Sequence, residues 1–502
     1  MTSRENIEAK VEQAPADAQF FGHPRGLATC FFTEMWERFS YYGMRAILIL
    51  FMTATVDKGG LGFNVMKAGA IYGLYTAMVY LLSLPGGWFA DRIVGQRRAV
   101  LFGGILITAG EFCLVAPSLT PFYCGLALLI LGTGLLKANV STIVGQLYKP
   151  DDHRRDAGFS IFYMGINIGA LISPLACGWV GEKISWRLGF GVAGIGMLAG
   201  LIQYVLGGKY LGEAGLHPSK PESVEQDRKQ KRRASIAAAA VVAVFCIVGA
   251  LAEAGQINLT AELISNVLGV LLVAVTAGMF AWLIFGPGWS TVERKRFAAV
   301  LVLFIACTLF FATNEQAGSS LNLFAERSTD NHFLGFAYPA SWLQSVNPIL
   351  IIILAPVFAW LWVKLGNREP SSPTKFSLGL LFAGLAFVLL VPPALVAAHG
   401  ARVSPMWLTS SYFLGTIGEL CLSPVGLSAI TKLAPARVAG LMMGMWFLAI
   451  AMGNYLAGMT ASLYESLPLA ALFGWVGAFT IGAAVVLAFL IKPTVRLMGG
   501  VK

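Results

Sequence analysis

Long apolar segments follow one another along almost the whole chain, and this feature limits the possible folds more than any other. A helix needs about 20 mostly apolar residues to cross the hydrocarbon core of a bilayer. Inside lipid, a single segment can satisfy its own backbone polar groups only as a helix. The sequence therefore predicts an all-α integral membrane protein. We place fourteen transmembrane helices at 26–54, 68–90, 99–116, 121–147, 157–180, 187–208, 235–253, 262–286, 297–323, 336–363, 376–398, 405–430, 438–463 and 468–491.

The composition supports a membrane protein and argues against a nucleic-acid partner. The chain is 57% hydrophobic and 12% charged, whereas soluble chains are about 45–50% apolar and about 25% charged. Its net charge of +10 comes from basic residues in short loops between apolar segments. Most Lys and Arg residues lie in the two tails and in the even-numbered loops, so the positive-inside rule places both termini in the cytoplasm.

The seventh and eighth segments differ from the others. They follow the polar run PSKPESVEQDRKQKRR and contain no strong polar motif. If they are an insertion, the remainder is six helices plus six, the plan of a transporter with two parallel halves around a central cavity. We therefore divide the chain into a cytoplasmic tail, an N-terminal six-helix bundle, a linker with two inserted helices, a C-terminal six-helix bundle and a second tail, at 1–22, 23–210, 211–290, 291–493 and 494–502.

The first apolar segment contains a charged stretch, TEMWERFSYYGMR, at 33–45. At 100° per residue its Glu, Arg and Tyr side chains fall on one face of a helix. A charge at the centre of a bilayer costs about 2.5–3.5 kcal/mol, so this face borders a hydrated cavity or is neutralised by its own ion pairs. A ladder of ion pairs alone would explain neither Tyr41 and Tyr42 nor the charges on other helices.

Those further charges are Lys137 in the fourth segment, Glu315 in the ninth and Glu419 in the twelfth. Without the insertion, the charged segments are helices 1, 4, 7 and 10, which are equivalent positions in the two halves. One wall of a central cavity would be positive and the other negative. Such a cavity suits a ligand with a carboxylate at one end, which a guanidinium can grip, and an ammonium at the other. Asn167 and Asn347 could bind the ammonium or form helix–helix hydrogen bonds.

Sequence motifs also limit the source of energy. There is no GxxxxGK[ST] loop to hold ATP phosphates, and no GxSxG or HExxH of a hydrolase. We therefore expect neither an enzyme nor a bound cofactor, and no Cys/His cluster suggests a metal. An ion gradient remains as the source of energy for transport. The five histidines lie in tails or loops, so proton binding would fall to Glu and Lys; sodium is the alternative ion.

Four motifs resemble those of proton-dependent oligopeptide transporters, the POT/PTR family of the major facilitator superfamily. EMWERFSYYGMR matches the signature ExxERFxYYG, and GGWFADRIVGQRR (86–98) is similar to the superfamily loop between helices 2 and 3. FYMGINIGA (162–170) resembles FYxxINxG, and GELCLSPVGLSAITKLAP (418–435) resembles the helix-10 motif. The resemblance covers the whole chain and is closest to bacterial di-/tripeptide transporters. It implies a major facilitator fold of two six-helix bundles plus two extra helices, in the inner (plasma) membrane.

The resemblance also implies roles for individual residues. Proton coupling would involve Glu34, Glu37, Arg38, Lys137 and Glu315. The peptide carboxylate would be bound by Tyr42, Arg45 and Lys137, with Tyr80 nearby. The peptide amino group would be bound by Asn167, Glu315, Asn347 and Glu419. Side-chain pockets would be lined by Tyr163, Trp342, Ser423 and Trp446. Mammalian relatives carry a histidine near the position of Tyr80, and this chain has none there.

Two further expectations concern the loop between helices 2 and 3 and the overall activity. Asp91 and Arg92 would form a cytoplasmic latch that breaks when the inner gate opens, or else a fixed structural turn. The function implied is a symporter that imports di- and tripeptides with protons by alternating access, for which a monomer suffices. The alternatives are a major facilitator antiporter for drugs or anions, and a receptor or scaffold that transports nothing.

Overall fold

The computed structural model describes residues 18–149, 152–218, 260–435 and 438–499, together with residues 228, 232 and 254. The seventh predicted segment, 235–253, lies outside the described residues. Fifteen α-helices are described within these ranges. Their bounds are α1 Arg25–Thr53, α2 Val65–Phe89, α3 Gln96–Val115, α4 Leu119–Gln146, α5 Arg155–Lys183, α6 Trp186–Gly207, α7 Ala261–Phe285, α8 Thr291–Asn314, α9 Ser320–Arg327, α10 Val346–Leu365, α11 Ser372–Val388, α12 Val391–Ala398, α13 Met406–Leu433, α14 Ala439–Ser462 and α15 Leu469–Met498.

Short elements join these helices. Two antiparallel hairpins are formed by β1 Ala18–Phe20 with β2 His23–Pro24, and by β3 His332–Phe333 with β4 Phe336–Ala337. Single 3-10 turns lie at Val56–Lys58, Gly208–Leu211, Glu315–Gly318, Ala340–Ser345 and Gly366–Arg368, and a π-helical turn at Ala90–Val94 extends α2.

Twelve helical segments of the described chain are long and apolar enough to cross a membrane. The helix α1 is also long enough to cross a membrane, at 29 residues, but it is not among these twelve because it contains too many charged residues. The predicted all-α membrane class is confirmed, while the count of fourteen stays a prediction. The predicted segment 297–323 is interrupted by the 3-10 turn Glu315–Gly318, so a charged residue lies where the α-helix ends.

Local sequence signals set several helix ends. The Ser290 hydroxyl accepts a hydrogen bond from the Glu293 N–H, and the Glu293 carboxylate accepts one from the Ser290 N–H, a capping box at the start of α8. Asn64 accepts from the Lys67 N–H before α2. The helix α15 ends at Gly499, whose left-handed backbone favours glycine.

The helices pack as two groups. In the N-terminal half, α1 packs against α5 and α6, and α3 packs against α4. In the C-terminal half, α11 packs against α13 and α15, and α8 packs against α14. The two halves meet most extensively along α2 and α14, and α7 packs against α2 and α8.

The two halves are joined at the end that the basic residues assign to the extracellular side, called here the outer end. The Asn322 amide donates to the Ala46 carbonyl oxygen at 2.7 Å. Gly73 and Gly458 bring α2 and α14 into backbone contact at the same end. The space between the halves reaches Ser141 near the opposite end of α4. With the orientation predicted from the basic loops, this arrangement is inward-facing.

Candidate functional site

A central cavity of about 1050 Å³ lies between the two halves. Its volume is at the upper end of the range for small-molecule sites, roughly 300–1000 Å³. Helices α1, α2, α4 and α5 supply one wall, and α8, α10, α13 and α14 supply the other. The sequence-derived candidates that line it are Glu34, Arg38, Tyr42, Arg45, Tyr80, Lys137, Tyr163, Asn167, Glu315, Asn347, Glu419, Ser423 and Trp446. Charged residues distant in the sequence thus share one space away from lipid.

One end of the charged face of α1 is a buried cluster of three charges, Glu34, Glu37 and Arg38, called here the α1 cluster. The Arg38 guanidinium forms a two-pronged ion pair with Glu37 and lies 3.4 Å from a carboxylate oxygen of Glu34. Glu37 is 1% exposed and does not line the cavity; its ion pair with Arg38 connects it to the cavity wall. The proposed ion-pair ladder therefore describes this part of α1, whereas Arg45, two turns further along, has partners on other helices.

Arg45 joins the two halves. Its guanidinium forms an ion pair with the Glu315 carboxylate at 2.6 Å and donates to the Tyr72 hydroxyl, also at 2.6 Å. It also donates to the Glu315 carbonyl oxygen at 3.3 Å. The resemblance implies that Arg45 binds the carboxylate end of a ligand and that Glu315 binds the amino end. In this conformation the two residues neutralise each other.

Lys137 is the cation of the cavity that has no such partner. Its ammonium lies 3.6 Å from the centroid of the Tyr80 ring, a cation–π contact. Among the described residues, no carboxylate lies within ion-pair distance of it. The contact with Tyr80 holds the ammonium in place and leaves its charge available to an anion.

The opposite wall presents a carboxylate. The Asn347 amide donates to Glu419 at 3.1 Å and to the Thr416 hydroxyl at 3.0 Å. Asn347 therefore forms the helix–helix hydrogen bond considered above and also orients Glu419. The Asn167 amide instead donates to the Tyr163 carbonyl one turn back in α5. The cavity thus has an ammonium on one wall and a carboxylate on the other.

Trp342 does not line the central cavity in this conformation, so its assignment to a side-chain pocket for the peptide stays a prediction. Its indole N–H donates to the Leu175 carbonyl at 3.0 Å, and its ring borders a separate groove with Phe336 and Tyr338. The physical reason is local. Residues 340–345 form a 3-10 turn before α10 begins, and this turn directs the indole toward α5 at the outer end.

The loop between α2 and α3 is a turn within the N-terminal half. Asp91 accepts a hydrogen bond from the Gln96 side chain at 2.6 Å, and Arg92 is exposed. Gly95, with φ of 85°, allows the chain to reverse before α3. Of the two alternatives for this loop, the fixed structural turn describes this conformation. The cytoplasmic latch formed by Asp91 and Arg92 stays a prediction.

Three residues with polar roles were not identified from the sequence. Tyr72 binds Arg45, but nothing distinguishes it from the other tyrosines of an apolar segment. Glu111 is fully buried in α3 and accepts a hydrogen bond from Ser40 at 2.8 Å. Glu182 lies at the outer end of α5. An acidic residue inside an apolar segment was a signal for Glu111, and Glu182 resembled an ordinary loop residue.

Two helical halves around a cavity with charged walls, closed at one end, define a secondary transporter of the major facilitator type. A family model described as the POT family (PTR2) matches residues 97–476, and the chain belongs to this family.

Full-length relatives agree. The uncharacterized transporter YclF of Bacillus subtilis (strain 168) is 43% identical over 503 residues, covering 100% of both chains. A di-/tripeptide transporter of Lactococcus lactis subsp. cremoris is 40% identical over 493 residues, covering 96% of this chain and 98% of the other. A crystal structure of the peptide transporter POT in complex with sulfate superimposes with a TM-score of 0.90 at 45% identity, covering 96% and 97%.

Proposed function

We propose that this protein imports di- and tripeptides together with protons, and that it works by alternating access. One observation carries the proposal: Lys137 and Glu419 present opposite charges within one cavity of peptide size. The peptide carboxylate binds the Lys137 ammonium, and the peptide amino group binds Glu419. The names of the relatives, peptide and di-/tripeptide transporters, support the same substrates.

The ion pair between Arg45 and Glu315 supplies a coupling step. A proton on Glu315 removes its charge and releases Arg45, so the contact between the two halves weakens at the outer end. The free guanidinium can then take a peptide carboxylate in a bidentate grip. Substrate and proton thus act on the same pair of residues. No cofactor takes part, because the proton gradient supplies the energy.

The proposed membrane, orientation and oligomeric state follow from the sequence and the cavity. The protein resides in the inner (plasma) membrane with both termini in the cytoplasm, as the basic loops indicate. A single chain supplies every residue of the cavity described above, so a monomer is sufficient for transport.

Uptake of labelled dialanine into liposomes tests the proposal. The purified protein should concentrate dialanine when the outside is more acidic than the inside, and should only equilibrate it without a gradient. N-acetylated and C-amidated dialanine each lack one charge and should compete at least about tenfold less well, since a hydrogen bond to a charged group contributes roughly 1.5–3 kcal/mol. Equal competition by blocked peptides would contradict binding at two poles. Absence of uptake would favour a receptor or scaffold.

A further inference from the structure

A row of hydrogen bonds joins α5 to the 3-10 turn Ala340–Ser345 at the outer end. The Ser345 hydroxyl donates to the Leu171 carbonyl at 2.8 Å, and the Trp342 indole donates to the Leu175 carbonyl at 3.0 Å. One turn further along α5, Gly178 leaves room for the Ser341 side chain: a Cβ there would lie 2.1 Å from the Ser341 hydroxyl oxygen. This row links the N-terminal half to the C-terminal half.

Glu182 ends the row. Its carboxylate accepts hydrogen bonds from the N–H groups of Ala340 and Ser341 at 2.8 and 3.0 Å, and from the Ser341 hydroxyl at 2.5 Å. The acceptor belongs to one half of the protein and all three donors belong to the other. When the halves part at the outer end, Glu182 must therefore lose these three bonds together.

The charged groups around Glu182 do not neutralise it. Within the described chain, no Lys, Arg or His nitrogen lies within ion-pair distance of its carboxylate. On its own helix, Lys183 is exposed. On α6, Arg187 donates to the Ala116 carbonyl. On α9, the half-exposed Glu326 is the charged group whose field acts on Glu182. Hydrogen bonds from neutral donors therefore hold this carboxylate in place, and binding of a proton to the carboxylate would compete with them.

We propose that Glu182 is a further proton-binding site of the transporter. When ionised it holds closed the outer gate, which is the contact between α5 and the turn Ala340–Ser345, and when protonated it releases this contact. An ionised carboxylate accepts on both oxygens, whereas a protonated one turns an oxygen into a donor. That donor would face two N–H groups and the Ser341 hydroxyl, and it can bond only if the hydroxyl reverses to accept, so at least one of the three bonds to the carboxylate is lost. The bonds that remain are weakened, because hydrogen bonds to charged acceptors are roughly twice as strong as neutral ones.

The position of Glu182 gives this release a direction. The residue is partly exposed at the outer end of α5, so it equilibrates with protons outside and not with those that have entered the cell. Acid outside then favours the outward-facing state, in which the empty cavity can load a peptide and a proton. The proposal rests on the proposed alternating access, but the gate motion can be measured without any peptide.

The opening of the gate can be followed as a distance between two spin labels in the full-length protein in lipid nanodiscs. Ile184→Cys, directly after α5, and Phe333→Cys on β3 place labels at exposed positions on opposite sides of the contact, in a background without the native cysteines. We expect the long-distance population to rise as the pH falls from 8 to 5. In Glu182→Gln this population should be several-fold larger at pH 8 and respond less to pH. The control Asp57→Asn, an exposed carboxylate that follows α1 at the same end, should follow the parent protein.

Ser341→Ala provides a second variant, because it removes one donor and leaves the titrating group in place. It should raise the long-distance population at every pH and keep the response to pH. The proposal is overturned if Glu182→Gln has the population and pH response of the parent protein, or, should that variant fail to fold, if Ser341→Ala leaves the population unchanged. Loss of dialanine uptake with an intact gate response would count against the proposed substrate and not against Glu182.

Discussion

At the scale of single residues, the α1 cluster shows how a buried charge is kept ready to exchange partners. Arg38 is shared between Glu34 and Glu37, which are 3% and 1% exposed. Two carboxylates around one guanidinium leave one negative charge over, and burial in a protein interior makes such a charge costly. This excess favours the binding of a proton by the cluster.

Glu37→Gln should remove that excess charge. Arg38 keeps Glu34 as a partner, so the helix should fold, but a balanced pair has no reason to bind a proton. We expect gradient-driven accumulation of dialanine to fall to simple equilibration, while exchange of peptide across the membrane continues. Counterflow and proton-driven uptake in liposomes measure the two activities, with Asp57→Asn, an exposed carboxylate, as the control. Accumulation by Glu37→Gln at the parent level would show that Glu37 has no part in coupling.

Glu419→Gln tests the negative pole of the cavity. The amide retains the size of the side chain and can still contact Asn347, but it has no charge for the peptide amino group. A charged hydrogen bond contributes roughly 1.5–3 kcal/mol, so the dissociation constant for dialanine should rise about tenfold or more. Binding of N-acetyl-dialanine, which lacks the ammonium, should change little. Equal losses for both peptides would mean that Glu419 supports the cavity without binding the amino group.

At the scale of helices, close backbone contact holds α2 and α14 together at the outer end. A Cβ on Gly458 would lie 2.3 Å from the Cα of Gly73, so only glycine allows this approach. Gly458→Ala should push the outer ends apart at a cost of about 1–3 kcal/mol and favour the outward-facing state. Spin labels at Met66→Cys and Leu463→Cys, both exposed, would report a longer distance. Gly482→Ala, where a Cβ meets nothing within 4 Å, should leave it unchanged.

The segment before α1 is anchored to the inner ends of α4 and α5. The His23 ring forms a hydrogen bond of 2.9 Å with the Tyr148 hydroxyl, and Arg154 donates to the Gly22 carbonyl. Burial, and then the positive charge of Arg154, lowers the pKa of His23 below 6.5, against a smaller opposing effect of Asp152. Between the folded and unfolded pKa values the unfolded state binds more protons. Stability from this anchor is therefore present above pH 6.5 and lost as the pH falls below it.

His23→Asn should reduce this dependence on pH. Asparagine cannot take up a proton in this range. The melting temperature of the variant in detergent should therefore fall less than that of the parent protein between pH 7.5 and 5. His399→Asn, in an exposed outer loop, serves as the control and should keep the parent slope. Parallel melting curves for His23→Asn and the parent protein would remove His23 as the source of the effect.

At the scale of the whole molecule, the arrangement of basic loops predicts which side each loop faces. Lys58 follows α1 and Lys149 follows α4, and both are exposed. A membrane-impermeant maleimide should label Lys58→Cys in intact cells and Lys149→Cys only after the membrane is opened. The reverse pattern would invert the orientation, and with it the assignment of the closed end of the cavity to the outside.

The sequence by itself determined the class of the protein and the residues that gather in its cavity. Charges inside apolar segments cannot face lipid without a large cost, so Glu34, Lys137 and Glu419 had to turn toward a shared interior. The local motifs carried the resemblance to the POT family, which the family match then confirmed. These properties depend on each segment alone, on its length, its polar residues and their spacing.

Only the tertiary structure decided which of these groups pair. Arg45 meets Glu315 because the outer end is closed, Glu37 is turned behind Arg38, and a 3-10 turn moves Trp342 out of the cavity. The three bonds of Glu182 arise in the same way, from the packing of α5 against a turn in the other half. Spacing along one helix fixes the face on which a side chain lies. Its partner depends on the rotation and approach of a second helix, which no local pattern specifies.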